Sequence, residues 1–180
     1  MNGKPYTYPG RSVFENIEDY KLRIDEPDLP VDENSILALK NVGPKGYPGI
    51  PEVGNMTLPV KLLKQGVKDL IRISDGRMSG TGFGIVVLHI SPEASLGANF
   101  SVIQTGDMIT LNVLNRLLTV DLSDQELQVR KDSWKLKHNL VNCGYSHLFI
   151  REVEQAHLGM DFGFLKGDPA VKSFGILIKI

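Results

Sequence analysis

A single thiol, Cys143, is all the cysteine chemistry the 180 residues offer. It cannot close an internal disulfide, so the chain reads as intracellular. Nor can it hold zinc or an iron–sulfur cluster unaided. Long apolar runs are missing too. The longest, Ile85 to Leu88, falls far short of the about 20 residues a bilayer-spanning helix needs. Met1 to Arg11 is polar, carries Pro5 and Pro9, and has no apolar stretch of the kind a secretory leader requires. No sign of charge dominates: 20 Lys and Arg stand against 21 Asp and Glu, for a formal net charge of -1. That balance gives no electrostatic reason to expect nucleic acid or a membrane as partner, and a cytoplasmic location is the expectation.

What is present is enough for one core. Apolar residues make up 42% of the chain, and the length fits one domain. The 18 glycines and 10 prolines point to long, shaped loops.

Met1 to Arg11 reads as a flexible arm, and Ser12 to Phe14 as a short strand. Asn16 suits a helix N-cap, after which Ile17, Tyr20 and Ile24 recur at helical spacing until Pro27 forbids continuation. Ser35 to Leu39 is too short for a helix and predicts a strand. Pro59 can open a helix that buries Val60, Leu62 and Leu63 and stops at Gly66. Leu70 to Ile73 predicts a strand. Gly84 to Ile90 is almost continuously apolar, the pattern of a central strand buried on both faces. Ser101–Gln104, Met108–Val113 and Leu117–Asp121 predict a three-stranded meander. Ser123 and Glu126 form a capping box for a helix to about Lys131, and Ser146 to Leu158 predicts another helix ending at Gly159. The tail, residues 166–180, could end in an edge strand over Phe174 to Ile180.

Two glycine-rich loops, 43–55 and 74–82, each follow an expected strand. Glycine lets backbone N–H groups converge on an anion. The first loop offers Lys45, Tyr47 and Glu52; the second offers Asp75, Arg77, Ser79 and Thr81. Arginine grips carboxylates bidentately, whereas a serine hydroxyl needs an activating neighbour to act as nucleophile or base. Most glycine-rich turns are turns and nothing more, and no Gly-x-Ser-x-Gly elbow is present. By residue type alone His89 reads as a satisfied core histidine, Cys143 as a small core hydrophobe and Trp134 as packing. His138, His147 and His157 have no metal-ligand spacing.

The stretches Leu37–Met56 (LALKNVGPKGYPGIPEVGNM) and Arg72–Thr81 (RISDGRMSGT), continued by Val87–Ala94 (VLHISPEA), resemble signatures of the dihydroxy-acid/6-phosphogluconate dehydratases, specifically their C-terminal domain. Gly66-Val67, Gly106-Asp107 and Asp161-Phe162 fit as well, so the resemblance covers roughly residues 10–165. Tyr47-Pro48-Gly49, and Met78 before Ser79, look like the sugar-acid (aldonate) branch.

The resemblance implies an α/β fold: a β-barrel-like, swivelling β/β/α domain over residues 12–165 with short surrounding helices, packed on a larger N-terminal domain. It implies a hydro-lyase that turns a 2,3-dihydroxy sugar acid into a 2-keto-3-deoxy acid. Ser79 would be the base, Glu52 a magnesium ligand, and Arg77, Gly80 and Thr81 substrate contacts. The family uses Mg²⁺ and an iron–sulfur cluster, and the cluster's cysteines are absent from this chain. The Gly-Gly-Pro-Leu that the family has after Pro-Glu-Ala is replaced by Gly97-Ala98-Asn99-Phe100, and the tail matches nothing in it. The expected partners are the N-terminal domain, a sugar acid and, in the complete enzyme, further copies of the subunit. The chain by itself is then expected to be inactive. The alternative is a stand-alone binding or interaction module that keeps the fold without catalysis.

Overall fold

The computed structural model describes residues 5–80, 82–136 and 141–165. Along the chain come β1 (Tyr6–Pro9), β2 (Ser12–Phe14), α1 (Ile17–Arg23), β3 (Ile36–Leu39), α2 (Val60–Lys64), β4 (Ile71–Ser74) and β5 (Val86–Val87), then β6 (Met108–Asn112), β7 (Leu117–Val120), α3 (Asp124–Ser133) and α4 (Gly144–Glu152). Strands β2-β3-β4-β5 form a parallel sheet in that order, and β1-β6-β7 an antiparallel one. The expected mixed α/β domain with short helices is what the structure shows, and among the described residues the pairings make two sheets, one parallel and one antiparallel. Among those residues, no helix is long and apolar enough to cross a membrane.

The period-2 alternation of strand side chains explains the layering. Ile36 and Ala38 of β3 face one way with Val13, Ile71 and Ile73, and pack on Ile109 and Leu111 of the antiparallel sheet. Leu37 and Leu39 face the other way with Phe14, and pack on Ile17, Tyr20 and Ile24 around α1 and on Leu62 of α2. All four residues of β3 are fully buried. The continuous apolar pattern of a central strand therefore belongs to β3.

Residues 84–90, expected at the centre, form an edge instead. Only Val86 and Val87 are strand, half-buried and paired with Arg72 and Ile73 on one side. The run is broken at its C-terminal end by His89, whose φ of 55° lies in the left-handed region that strands do not use. Other expectations change as well. Tyr6–Pro9, inside the presumed arm, pairs with β6 in register Tyr6↔Leu111. It thereby supplies the third antiparallel strand, because Asn99–Val102 is a 3-10 helix. Val60 and Leu63 of α2 are exposed, leaving Leu62 as its buried contact. The helix expected over 146–158 ends at Glu152. Val153 then bridges to Phe162, and a separate 3-10 turn, Ala156–Leu158, precedes Gly159. Cys143 is exposed at the start of α4 rather than in the core. Trp134 does pack: a Cβ on Gly97 would lie 2.9 Å from its ring. The tail beyond 165 lies outside the described residues.

The helix caps follow the sequence. Ser123 accepts the Glu126 N–H at 3.2 Å. Asn16 Oδ1 accepts the Asp19 N–H at 2.7 Å, while the Asp19 carboxylate accepts the Glu15 N–H and pairs with Arg23 at 2.9 Å. For so short a helix this reciprocal cap is a large share of the local stabilisation. Asn16→Ala should lower stability by about 1 kcal/mol. A urea midpoint unchanged from wild type would show that packing of Ile17 and Tyr20 alone holds α1.

Candidate functional site

Four parallel strands place their C-terminal ends on one rim, where open α/β sheets bind ligands. Glu15 follows β2, Lys40 to Val42 follow β3, Asp75 follows β4, and Leu88 and His89 follow β5. The two glycine-rich loops leave from the middle of this rim.

Buried carboxylates tie the loop bases together. Asp75, 0% exposed, accepts N–H groups from Val42 at 3.0 Å, Asn41 at 3.1 Å and Ala94 at 2.9 Å. Burial pushes its carboxyl up to about 6, with the Glu93 charge adding to the rise and the three N–H bonds opposing it. Glu93, 1% exposed, accepts the N–H groups of Lys45 at 2.9 Å and Gly46 at 2.8 Å, and the Gln155 amide at 2.5 Å. Gln155 returns the contact by accepting the Glu93 N–H at 2.8 Å. The Asn41 side chain donates to the Glu15 carbonyl at 2.9 Å, so the connection after β2 joins the same web. Lys40, almost fully buried, bonds the Ser101 and Ile103 carbonyls and pairs with Glu15 at 2.6 Å. Its cation is fully engaged in holding the Asn99–Val102 turn to the sheet.

The loops themselves meet. The Gly54 N–H donates to the Arg77 carbonyl at 2.6 Å, and Arg77 Nε donates to the Ile50 carbonyl at 2.6 Å. Arg77 Nη1 lies 3.6 Å from Glu52 Oε1, both side chains being half-exposed. Gly54 is required by this approach, because a Cβ there would stand 2.6 Å from Leu88 and 2.8 Å from the Arg77 carbonyl. Beneath them the buried Arg72 guanidinium bonds the Asn55 and Met56 carbonyls at 3.2 and 3.0 Å, Asp69 at 3.1 Å, and the Phe83 carbonyl.

The expected site residues therefore fall as follows. Glu52 and Arg77 touch. Ser79, half-buried, is two residues further along the same turn, and its carbonyl accepts the Gly82 N–H at 3.2 Å. Gly80 is exposed, and a Cβ added there would meet nothing within 4 Å. Thr81 lies outside the described residues. Two clefts, of about 340 and 580 Å³, lie elsewhere, the first around Lys40 and Trp134, the second between Ile73, Phe100 and Leu118. Neither is lined by Glu52, Arg77 or Ser79.

His89 departs from the expected satisfied core histidine. Its Nδ1 is buried without a hydrogen-bond partner. Burial, and then the Arg77 charge, hold the imidazole below its usual range, which favours the neutral ring. The roles of Glu93 and Gln155 are likewise invisible in their residue types. The Ser-Pro-Glu-Ala stretch marks the segment, but only the fold reveals which N–H groups converge on its carboxylate.

Neither cofactor that the resemblance implies fits this chain by itself. Among the described residues no three His, Cys, Asp or Glu side chains form a group able to hold a metal ion. Glu52 is one hard oxygen donor, facing Arg77, and the exposed Cys143 is one thiol.

Residues 7–160 match the family described as Dihydroxy-acid/6-phosphogluconate dehydratase C-terminal, and the chain belongs to that family. It is 53% identical over 161 residues to an L-arabinonate dehydratase of Rhizobium leguminosarum bv. trifolii, covering 89% of this chain and 28% of that protein. It is 43% identical to a 6-deoxy-6-sulfo-D-gluconate dehydratase of Pseudomonas putida, covering 88% and 28%. Identity to a dihydroxy-acid dehydratase of Prochlorococcus marinus subsp. pastoris is 36%, covering 82% and 26%. The chain thus spans little more than a quarter of the length of these curated relatives.

Proposed function

We propose that this chain is the C-terminal part of a hydro-lyase acting on a 2,3-dihydroxy sugar acid, and that it contributes the base, Ser79. The base takes the proton from C2, the C2–H electron pair becomes the C2=C3 double bond, hydroxide leaves C3, and the enol tautomerises to the 2-keto-3-deoxy acid. The observation that carries this reading is the joining of the Glu52 loop to the Ser79 turn through Arg77. Two loops distant in sequence are thereby held side by side. Higher identity to the two relatives named for sugar acids, 53% and 43% against 36% for the dihydroxy-acid enzyme, supports the sugar-acid branch.

On this reading Glu52 supplies one ligand of a magnesium site, and Arg77, Gly80 and Thr81 border the substrate. The remaining magnesium ligands and the iron–sulfur cluster belong to an N-terminal catalytic domain, within a cytoplasmic homo-oligomer. The chain alone has a base but no means of helping hydroxide depart, so alone it is silent.

Supplying the chain with the N-terminal part of the Rhizobium relative tests this. Dehydration of L-arabinonate should appear with the pair and be absent from the chain alone. Turnover by the chain alone would remove the argument for a companion domain. A folded pair that dehydrates none of the aldonic acids offered would remove the hydro-lyase reading.

A further inference from the structure

Arg77 is expected to be a substrate contact, yet its innermost donor is already committed. Nε donates to the Ile50 carbonyl at 2.6 Å, and the residue's own carbonyl accepts the Gly54 N–H at 2.6 Å. These two bonds hold both ends of the 50–54 turn that carries Glu52. The turn needs holding. Ile50 has a φ of 46°, a left-handed conformation that is strained for a β-branched residue. Within the turn, Ile50 N–H reaches Tyr47 at 2.9 Å and Val53 N–H reaches Pro51 at 2.8 Å. Neither bond crosses to the second loop. The guanidinium end remains on the open side, 3.6 Å from Glu52 and half-exposed.

We propose that Arg77 is the positioning residue of this site: Nε staples the strained 50–54 turn to the Ser79 turn, and the outer nitrogens are left for the substrate side. Two substitutions separate these roles by covalent geometry. In Arg77→Gln the amide nitrogen sits where Nε was, bonded to the same carbon, so the staple is kept and the charge lost. In Arg77→Lys a methylene occupies that place, so the charge is kept and the staple lost.

Amide hydrogen exchange on this chain reads the staple directly. The Val53 and Gly54 amides should exchange roughly tenfold or more faster in Arg77→Lys and within about threefold of wild type in Arg77→Gln. The Leu37–Leu39 amides of β3 should be unchanged in both, which reports that the fold is intact. This arm does not depend on the proposed reaction. The second arm rests on that reading: in the enzyme reconstituted with the N-terminal part, Arg77→Lys should lower kcat, and Arg77→Gln should mainly raise KM. Protection lost equally in both variants, in neither, or only in Arg77→Gln overturns the staple. An inactive wild-type reconstitution would count against the reaction, while the exchange result still decides the role of Arg77.

Discussion

Ser79→Ala in the reconstituted dehydratase is expected to lower kcat by roughly 100- to 10,000-fold, the range for removing a positioned general base. KM should stay within a few-fold of wild type, because a base acts on the proton in the transition state and adds little to substrate binding. The fold should survive, since Ser79 is half-buried on a turn and contributes nothing to either core cluster. A serine hydroxyl is a poor base in water and gains from positive charge and convergent N–H groups nearby. The turn that carries Ser79 is anchored through Asp75 at its base and the Arg77–Ile50 bond in its middle. Steady-state kinetics with L-arabinonate, beside the circular dichroism of both proteins, checks the expectation. A variant with wild-type kcat would strip Ser79 of its role, and a kcat unchanged with KM greatly raised would make it a binding group.

How much of this is legible in the sequence depends on the range over which each feature is decided. The two loops, Asn16 and Ser123 as caps, and the strand over 36–39 are set by neighbours within a few residues, and the structure has them where the pattern points. The order of strands is decided at long range. Ile36–Leu39 and Ile85–Leu88 carry the same apolar signature, but β3 has a strand on each side and β5 has one. Nothing in a run of apolar residues states how many neighbours it will have. Likewise a polar amino-terminal segment gives no sign that Tyr6–Pro9 will meet β6, some hundred residues on. At the site, Glu52, Arg77 and Ser79 are marked by their motifs. The web beneath them is not, because Asp75 and Glu93 act by gathering backbone N–H groups, which every residue but proline carries. A carboxylate in a loop is usually solvated, and only burial distinguishes one that organises three segments of chain.

That web makes stability depend on pH in a direction opposite to the usual acidic group. Asp75 has a carboxyl near 6 in the folded chain, against 3.8 for an unburied aspartate. Between those values the folded chain holds a proton that the unfolded chain has released. Stability from this group is therefore complete below about pH 4 and is lost as pH rises through about 6. The gap is worth about 3 kcal/mol. Asp75→Asn removes the titration while keeping the size of the side chain. Comparing urea unfolding of the two proteins from about pH 4 to about pH 7.5 cancels the response of groups that do not touch Asp75. Wild type should lose about 3 kcal/mol relative to Asp75→Asn across that range. A flat difference would mean that water reaches Asp75. A difference that grows in favour of wild type with rising pH would mean that the N–H bonds from Asn41, Val42 and Ala94 outweigh burial, and that the ionised carboxylate is what the fold is built to hold.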